Sequence, residues 1–252
     1  KNVAYKDDLA TLNIIAAIAK DGWKRPIYFG GFLPGENYQG MDDYLRMEGV
    51  VYRLMPFRLT DSLKATQQDM GSVDVEKSYD LFKNKYIWGN AERKDVYFDE
   101  KNRLMFAAYR MNVGRIASEL MTKGKKDQAI EVLNKVKNNI SEHSYFYDAT
   151  AYYVAMAYYN CGDKDNGKKM TMRIVKNCED DINYILSLDD VRANNLKNDV
   201  QRDATIINIL SNVARNNGDM ATADELSQKL NMISQRAGQK LDMQSQAPQS
   251  QE

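Results

Sequence analysis

The chain has few of the side chains on which most metal and acid–base sites are built. Its 252 residues include one histidine and two cysteines, too few for a His/Cys zinc site or a disulfide-rich scaffold. Its 35 basic and 35 acidic residues cancel, so the chain lacks the basic surface that nucleic-acid binding requires. No apolar run approaches the roughly 20 residues that span a bilayer. We therefore predict no metal site, no cofactor and no nucleic-acid partner.

The first part of the sequence predicts a small α+β unit over residues 1–95. After an acidic pair, apolar residues recur at helical spacing and predict a helix that ends near Gly22. The apolar positions are Leu9, Leu12, Ile15, Ala16 and Ala19. Two aromatic and β-branched runs, 23–31 and 49–57, predict short strands that pair in a sheet packed on this helix. One or two helical turns are expected over 41–47 and a further helix over 73–88.

A degenerate repeat predicts that residues 96–238 form antiparallel helix pairs. Gly124, Gly162 and Gly218 each mark a tight turn between two stretches of helical period. Small residues stand seven positions before and five positions after each glycine, namely Ala117 and Ala129, Ala155 and Gly167, and Ser211 and Ala223. Small side chains at these positions allow two helices to approach closely. The pattern resembles the tetratricopeptide repeat, so we expect a mainly α protein followed by a polar tail over 239–252.

Stacked helix pairs of this kind bind ligands on a concave face, which the register of the first helix of each pair locates. The predicted binding residues are Ser118, Thr122, Tyr152, Met156, Tyr159, Asn160, Asn208, Asn212, Arg215 and Asn216. Amide, tyrosine and arginine side chains suit an extended peptide or a glycan. In the alternative interpretation, Tyr145, Tyr152 and Tyr159 pack against the α+β unit instead.

The sequence offers weak candidates for chemistry. His143 has no nucleophile or carboxylate motif beside it, which favours a solvent-exposed loop residue. The Asp163-Lys164-Asp165 triplet has the shape of a metal-binding DxD motif, but it follows Gly162, where aspartate caps a helix. Four arginines, Arg25, Arg46, Arg53 and Arg58, could converge on an anion, although arginine beside aromatic strands more often stacks or forms ion pairs. We therefore predict that this chain is not an enzyme.

An ordered set of motifs resembles a known family. The set consists of Trp23-Lys24-Arg25-Pro26-Ile27-Tyr28-Phe29, then Tyr44-Leu45-Arg46-Met47-Glu48-Gly49-Val50-Val51-Tyr52-Arg53-Leu54-Met55-Pro56, then Lys85-Tyr86-Ile87-Trp88-Gly89-Asn90. Together these motifs resemble the C-terminal soluble region of the DUF2723 proteins of Bacteroidetes, which are membrane proteins related to protein O-mannosyltransferases of the GT-C type. The resemblance covers about residues 5–140.

The resemblance implies an accessory role on the periplasmic side of a bacterial inner membrane. It implies that the membrane portion of the same parent protein is a partner, and that acceptor protein, glycan or another subunit binds here. No catalytic residue of the GT-C enzymes has a counterpart in this chain, so the resemblance assigns no catalytic role to any residue here. In that setting Asp61-Ser62-Leu63 matches a short O-glycosylation signal, so Ser62 is a candidate for modification. The alternatives are a purely structural cap on the membrane parent and a glycoside-processing enzyme, which would need two carboxylates facing each other across a cleft.

Overall fold

The computed structural model describes residues 5–31, 35–59 and 71–241. Ser62 and most of the predicted tail lie outside these residues. Within them the chain is mainly α-helical with a small sheet near the N-terminus, which confirms the predicted fold class. Contacts between residues divide the chain into two compact units, 1–145 and 146–252.

The first unit begins with a helix and a four-stranded sheet. Helix α1 covers Lys6–Lys20, and the strands are β1 (Tyr28–Gly30), β2 (Leu45–Glu48), β3 (Val51–Leu54) and β4 (Ser72–Val73). Their order in the sheet is β1-β3-β2-β4, with β4 parallel to β2 and the other pairs antiparallel. Gly49 opens the two-residue turn between β2 and β3 with φ 69°, as a type II′ turn requires. Residues 45–48 are therefore a strand, whereas the sequence predicted helical turns there.

Three more helical elements complete the first unit. Helix α2 (Val75–Asp80) continues into a π-helical turn over Leu81–Lys85, and the hairpin of α3 (Glu100–Thr122) and α4 (Lys126–Asn139) follows. The guanidinium of Arg115 on α3 donates to the hydroxyl of Tyr52 on β3 over 2.7 Å. The first helix pair thus shares a core with the sheet, and the division falls after Tyr145 rather than at the predicted position, residue 95.

The second unit consists of helices. They are α5 (Tyr152–Asn160), α6 (Lys164–Ser187), α7 (Asp190–Asn195), α8 (Lys197–Asn216) and α9 (Met220–Lys240). Helix α5 pairs with α6, α8 pairs with α9, and α6 also packs on α8. The interval between Gly162 and Gly218 is longer than that between Gly124 and Gly162, and it contains the additional short helix α7.

The three hairpin turns share one backbone geometry. Gly124, Gly162 and Gly218 have φ of 72°, 75° and 77°, which is the left-handed conformation that favours glycine. Each glycine N–H donates to the carbonyl three residues earlier, and the following N–H donates to the carbonyl five residues before it. This repeated pattern satisfies the last carbonyls of each first helix, and it supports the internal repeat found in the sequence.

Close approach of α5 and α6 depends on Gly167. An ideal Cβ at this position would lie 2.8 Å from the ring of Tyr159, which is buried and donates to the Asp219 carboxylate over 2.9 Å. The same ring packs with Ala214 and Ala223 of the next hairpin. One missing methyl group therefore positions the aromatic ring that joins both hairpins of the second unit.

Replacing Gly167 with alanine should destabilise the protein by about 1–3 kcal/mol, because the new methyl group forces Tyr159 out of its packed position. Gly238→Ala is the matched control, because a Cβ there meets no atom within 4 Å. The control should be neutral or stabilising by about 0.5–1 kcal/mol, the usual gain of alanine over glycine in a helix. Urea denaturation of both variants followed by circular dichroism measures the difference, and equal midpoints would contradict this packing role.

Candidate functional site

The predicted binding positions on α8 lie on one exposed row. Asn208, Asn212, Arg215 and Asn216 are all solvent-exposed, and their spacing of four, three and one places them along one side of the helix. Arg215 lies within 3.4 Å of the Asp224 carboxylate on α9, an exposed ion pair. The row therefore presents amide groups to solvent, and its role in binding stays a prediction.

The predicted positions on α5 differ from one another in exposure. Asn160 is exposed, whereas Tyr152 and Met156 are half-buried. The ring of Tyr152 lies 4.2 Å from that of Tyr153. Tyr159 is only 1% exposed, so it belongs to the interior and not to an open face as the register predicted. Its hydroxyl reaches Asp219 because small residues bring α8 and α9 close to it.

The two predicted positions in the first unit are satisfied within their own helix. The Ser118 hydroxyl donates to the carbonyl of Gly114 over 3.0 Å, and the Thr122 hydroxyl donates to the carbonyl of Ser118 over 3.2 Å. These bonds are the usual way in which serine and threonine are accommodated inside a helix. The hydroxyls of Ser118 and Thr122 are thus already engaged as donors.

The weak candidates for chemistry occupy ordinary structural positions. His143 is exposed and lines a shallow depression with Arg103 and Lys94. Asp163 caps α6 by accepting from the backbone N–H of Asn166 over 3.2 Å. In the described residues no group of three or more His, Cys, Asp and Glu side chains is arranged to hold a metal ion.

Both cysteines are buried, and they are not joined in a disulfide. Cys161 directly follows α5, whereas Cys178 lies in the C-terminal half of α6, so the rise of roughly 1.5 Å per helical residue separates them. Burial raises the pKa of Cys178 to about 12, and the neighbouring carboxylates Asp203 and Asp181 add to the effect. A thiol with so high a pKa is not a nucleophile at neutral pH.

Glu48 is the centre of a charge cluster on the sheet. Its side chain is 1% exposed, and its carboxylate accepts from Tyr28 over 2.9 Å and from Lys77 of α2. Arg46 donates to the other carboxylate oxygen over 3.1 Å, and an Arg53 nitrogen lies 3.5 Å from it. Two of the four arginines that the sequence suggested as an anion site therefore converge on an anion of the protein itself.

The electrostatics of this cluster indicate a structural role. Burial opposes ionisation of Glu48, but hydrogen bonds from Lys77, Tyr28 and Arg46 outweigh it and hold the pKa of the carboxyl below its ordinary value. The carboxylate thus stays charged and fully engaged at neutral pH. A group with these properties joins β2, β3 and α2 to one another, and it is unsuited to act as a general acid.

Sequence reasoning missed Glu48, for which one signal lies in the sequence and a second only in the pairing of the strands. Arg46 and Glu48 alternate on one strand, so they share a face of the sheet. Arg46 and Arg53 are direct cross-strand partners, and like charges in that position are destabilising unless an anion lies between them. The second signal required the register of β2 against β3, which the sequence did not provide.

The third arginine has its own partner. Arg58 donates to the Asp43 carboxylate over 2.9 Å, so Asp43 belongs to an ion pair. Asp43 lies in a 3-10 turn, Asp42–Tyr44. Arg46 and Arg53 therefore pair with Glu48, whereas Arg58 pairs with Asp43.

Helix α1 leaves much of its apolar face uncovered. Only Asp8 and Ile18 are buried, and Asp8 accepts from Gln39 over 2.5 Å. Leu9 and Leu12 are 53% and 41% exposed. Ala16 and Ala19 continue this exposed row along the helix. Within the described residues the sheet contacts α2 and α3. There it does not pack on the apolar face of α1, contrary to the prediction from the sequence.

The family-like motifs are built mainly from core aromatics. Phe29 is buried, and the rings of Tyr86 and Trp88 meet Phe82 and Tyr109 at centroid distances between 4.9 and 6.3 Å. Burial raises the pKa of Tyr86 to about 12, and its hydroxyl accepts from the backbone N–H of Val50 over 3.1 Å. Most of these aromatics therefore stabilise the first unit. The third motif also contains an apolar residue that is not buried, Ile87, which is 94% exposed.

The fold is that of a mainly α protein whose first unit contains a sheet stabilised by the ion pairs of Glu48. Among the described residues, no helix combines the length and the apolar composition needed to cross a bilayer. A family model described as TMEM260-associated domain 2, a domain linked to O-mannosyltransferase-like proteins, matches residues 1–77. This segment contains α1, all four strands and every residue that contacts Glu48 in the cluster. No curated protein and no solved structure matches the chain.

The match agrees with the coarser part of the predicted resemblance, the link to O-mannosyltransferase-like proteins. It does not reach the finer part, since it names neither the DUF2723 proteins nor Bacteroidetes. It also ends at Lys77, so the helix hairpins lie beyond it. The tetratricopeptide-like class stays a prediction that rests on the repeat.

Replacing Glu48 with glutamine should destabilise the first unit by about 3 kcal/mol at neutral pH, because three cationic groups lose their shared carboxylate. The pKa of Glu48 is lowered by folding, so its stabilising effect is present above the ordinary value near 4.5 and is lost as the pH falls through the folded value. The difference between variant and wild type should therefore shrink below about pH 4.5.

Thermal denaturation between pH 3 and pH 8 measures this difference. Glu76→Gln is the matched control. It also removes a carboxylate from an ion pair, with Lys125, but the Glu76 side chain is exposed. The control should change the stability little. A Glu48→Gln deficit that stays constant across the whole pH range would contradict the charge-based explanation.

Proposed function

We propose that this chain is a non-catalytic accessory module of a membrane-embedded, glycosyltransferase-like protein and that α1 docks on that protein. The uncovered apolar face of α1, within the matched segment, carries the proposal. A helix that presents leucine and alanine side chains to water exposes apolar surface that a partner can bury. The match of residues 1–77 to a domain linked to O-mannosyltransferase-like proteins supports a partner of that class.

The structure of α1 supports docking in a second way. Its two buried side chains are Ile18 and Asp8, and Asp8 accepts a hydrogen bond from Gln39. The Asp8 carboxylate accepts from the backbone N–H of Tyr5 over 2.8 Å and fixes the first turn of the helix. The helix is therefore held in place while Leu9 and Leu12 face outward, which lowers the entropic cost of binding a partner.

The remainder of the proposal concerns location and ligands. We place the module on the periplasmic side of the membrane, where it holds acceptor protein, glycan or a further subunit near the glycosyltransferase-like partner. The exposed amide row of α8 is the surface available for an extended peptide or a glycan, because asparagine side chains both donate and accept hydrogen bonds.

Docking is tested by Leu9→Glu combined with Leu12→Glu. Each leucine contributes apolar area to the proposed interface, and losing both should cost about 2–4 kcal/mol, or roughly 30-fold or more in affinity. The measurement is sedimentation of the purified chain with membranes that contain the glycosyltransferase-like protein. The wild type should sediment and the double variant should stay in solution.

Two controls make the docking test specific. Tyr184→Glu combined with Met232→Glu removes two side chains of similar exposure, 64% and 57%, from the second unit and should not reduce sedimentation. Vesicles of the same lipids without protein should not bind the chain. Loss of sedimentation in both double variants, or equal binding to protein-free vesicles, would refute docking on a protein partner through α1.

A purely structural cap is the second candidate role, since the same apolar face would serve it. The exposed amide row separates the two roles. With a photo-crosslinking side chain at position 212, an accessory module captures acceptor protein or glycan, whereas the same group at Gln228 on α9 does not. If position 212 captures nothing and deletion of the chain lowers only the abundance of the parent, the structural cap is the better description.

A further inference from the structure

The second unit contains a cavity with more acidic than basic side chains. It has a volume of about 260 Å³ and lies where residues 146–150, which precede α5, meet the C-terminal half of α6 and the N-terminal part of α8. Its polar lining consists of Asp148, Thr150, Asn177, Asp181, Arg202 and Asp203. Three carboxylates thus face one guanidinium, so the lining is negatively charged.

Asp203 is the unusual member of this group. Its side chain is 2% exposed, and its Oδ1 accepts from Arg202 over 2.9 Å. Its Oδ2 is buried and has no hydrogen-bond partner among the described residues. A buried carboxylate oxygen without a donor is costly, so a donor supplied by a ligand is the natural completion of the site.

The neighbouring groups do not neutralise this carboxylate. Arg202 also pairs with Asp199 over 2.7 Å and is therefore shared between two acids. Asp148 is occupied by the backbone and hydroxyl of Thr150 at the start of its helical turn. Asp181 lines the same cavity and adds a further negative charge.

The pKa shifts of the acids in the cavity agree with a negatively charged lining. Burial raises the pKa of the Asp203 carboxyl, Asp181 and Asp199 raise it further, and Arg202 opposes them. Burial likewise raises the pKa of Asp181. Cations that enter the cavity would therefore be attracted, and anions would be repelled.

We propose that this cavity binds a cationic group that donates N–H hydrogen bonds, an ammonium or a guanidinium, with Asp203 and Asp181 as its acceptors. The apolar part of the lining, Phe146, Ala149 and Cys178, accommodates the alkyl chain that carries such a group. The volume of the cavity suits one lysine-like or arginine-like side chain. This site is independent of α1, so it stands or falls separately from the proposed docking.

Binding is measured by isothermal titration calorimetry and by chemical-shift changes in the full chain. The probes are the blocked tripeptides acetyl-Gly-Lys-Gly-amide and acetyl-Gly-Arg-Gly-amide, with n-butylammonium as a free amine. The citrulline tripeptide is the neutral control, and tetramethylammonium is a cation without N–H donors. The cationic donors should bind and both controls should bind at least tenfold more weakly.

The comparison of tripeptide with free amine distinguishes the source of the group. Tighter binding of a tripeptide indicates a basic side chain of a protein, and equal binding indicates a small amine. Failure of all three cationic donors to bind at millimolar concentration overturns the proposal. Binding of calcium or magnesium ions in preference to the organic cations overturns it as well.

Two variants assign the binding to this cavity. Asp203→Asn and Asp181→Asn should each weaken binding at least tenfold, whereas Asp224→Asn, an exposed acid on α9, should leave it unchanged. Because folding raises the pKa of Asp203, its ionised form opposes folding at neutral pH, so Asp203→Asn should melt no lower than the wild type. If Asp203→Asn fails to fold, Asp181→Asn, at the exposed edge of the cavity, still tests whether the cation binds here. Unchanged binding in the Asp181→Asn variant refutes the site.

Discussion

Close packing of paired helices is the constraint on which the rest of this structure depends. A helix pair can bury its apolar faces only if the backbones approach, and they approach only where side chains are small. In the second unit that place is Gly167, where the absent methyl group leaves room for the ring of Tyr159. The ring in turn reaches Asp219 and the alanines of the next hairpin. The missing side chain at one position thus fixes the geometry of two hairpins.

The sheet of the first unit is held together by charge as well as by apolar packing. Placing two arginines opposite each other on neighbouring strands is unfavourable by itself. Glu48 offsets the repulsion, because its carboxylate accepts from Arg46 and forms an ion pair with Arg53. Because Lys77 on α2 contributes to the same carboxylate, the cluster also fixes the helix that follows the sheet. With the core formed in this way, α1 contributes little to it and leaves Leu9 and Leu12 exposed.

Two surfaces in this chain carry features that do not serve stability. Leu9 and Leu12 expose apolar area to water, which lowers solubility unless a partner covers it. Asp203 buries a carboxylate oxygen without a hydrogen-bond donor, which opposes folding at neutral pH. Departures of this kind from the most stable arrangement are common at functional sites in proteins. The two features lie in different units and involve different chemistry, apolar in one and electrostatic in the other.

The sequence by itself determined the helix hairpins, because helical period and glycine turns are local properties that a few neighbouring residues fix. Gly162 ends a helix through its own backbone conformation, and Asp163 starts the next through its own side chain. The tertiary structure alone decided that residues 45–48 form a strand, because pairing with β3 and with Ser72 of β4 overrides local preference. It also decided which side of α1 is covered and which acids share one cavity. These outcomes depend on contacts between residues far apart in the chain, and no spacing within a short segment specifies them.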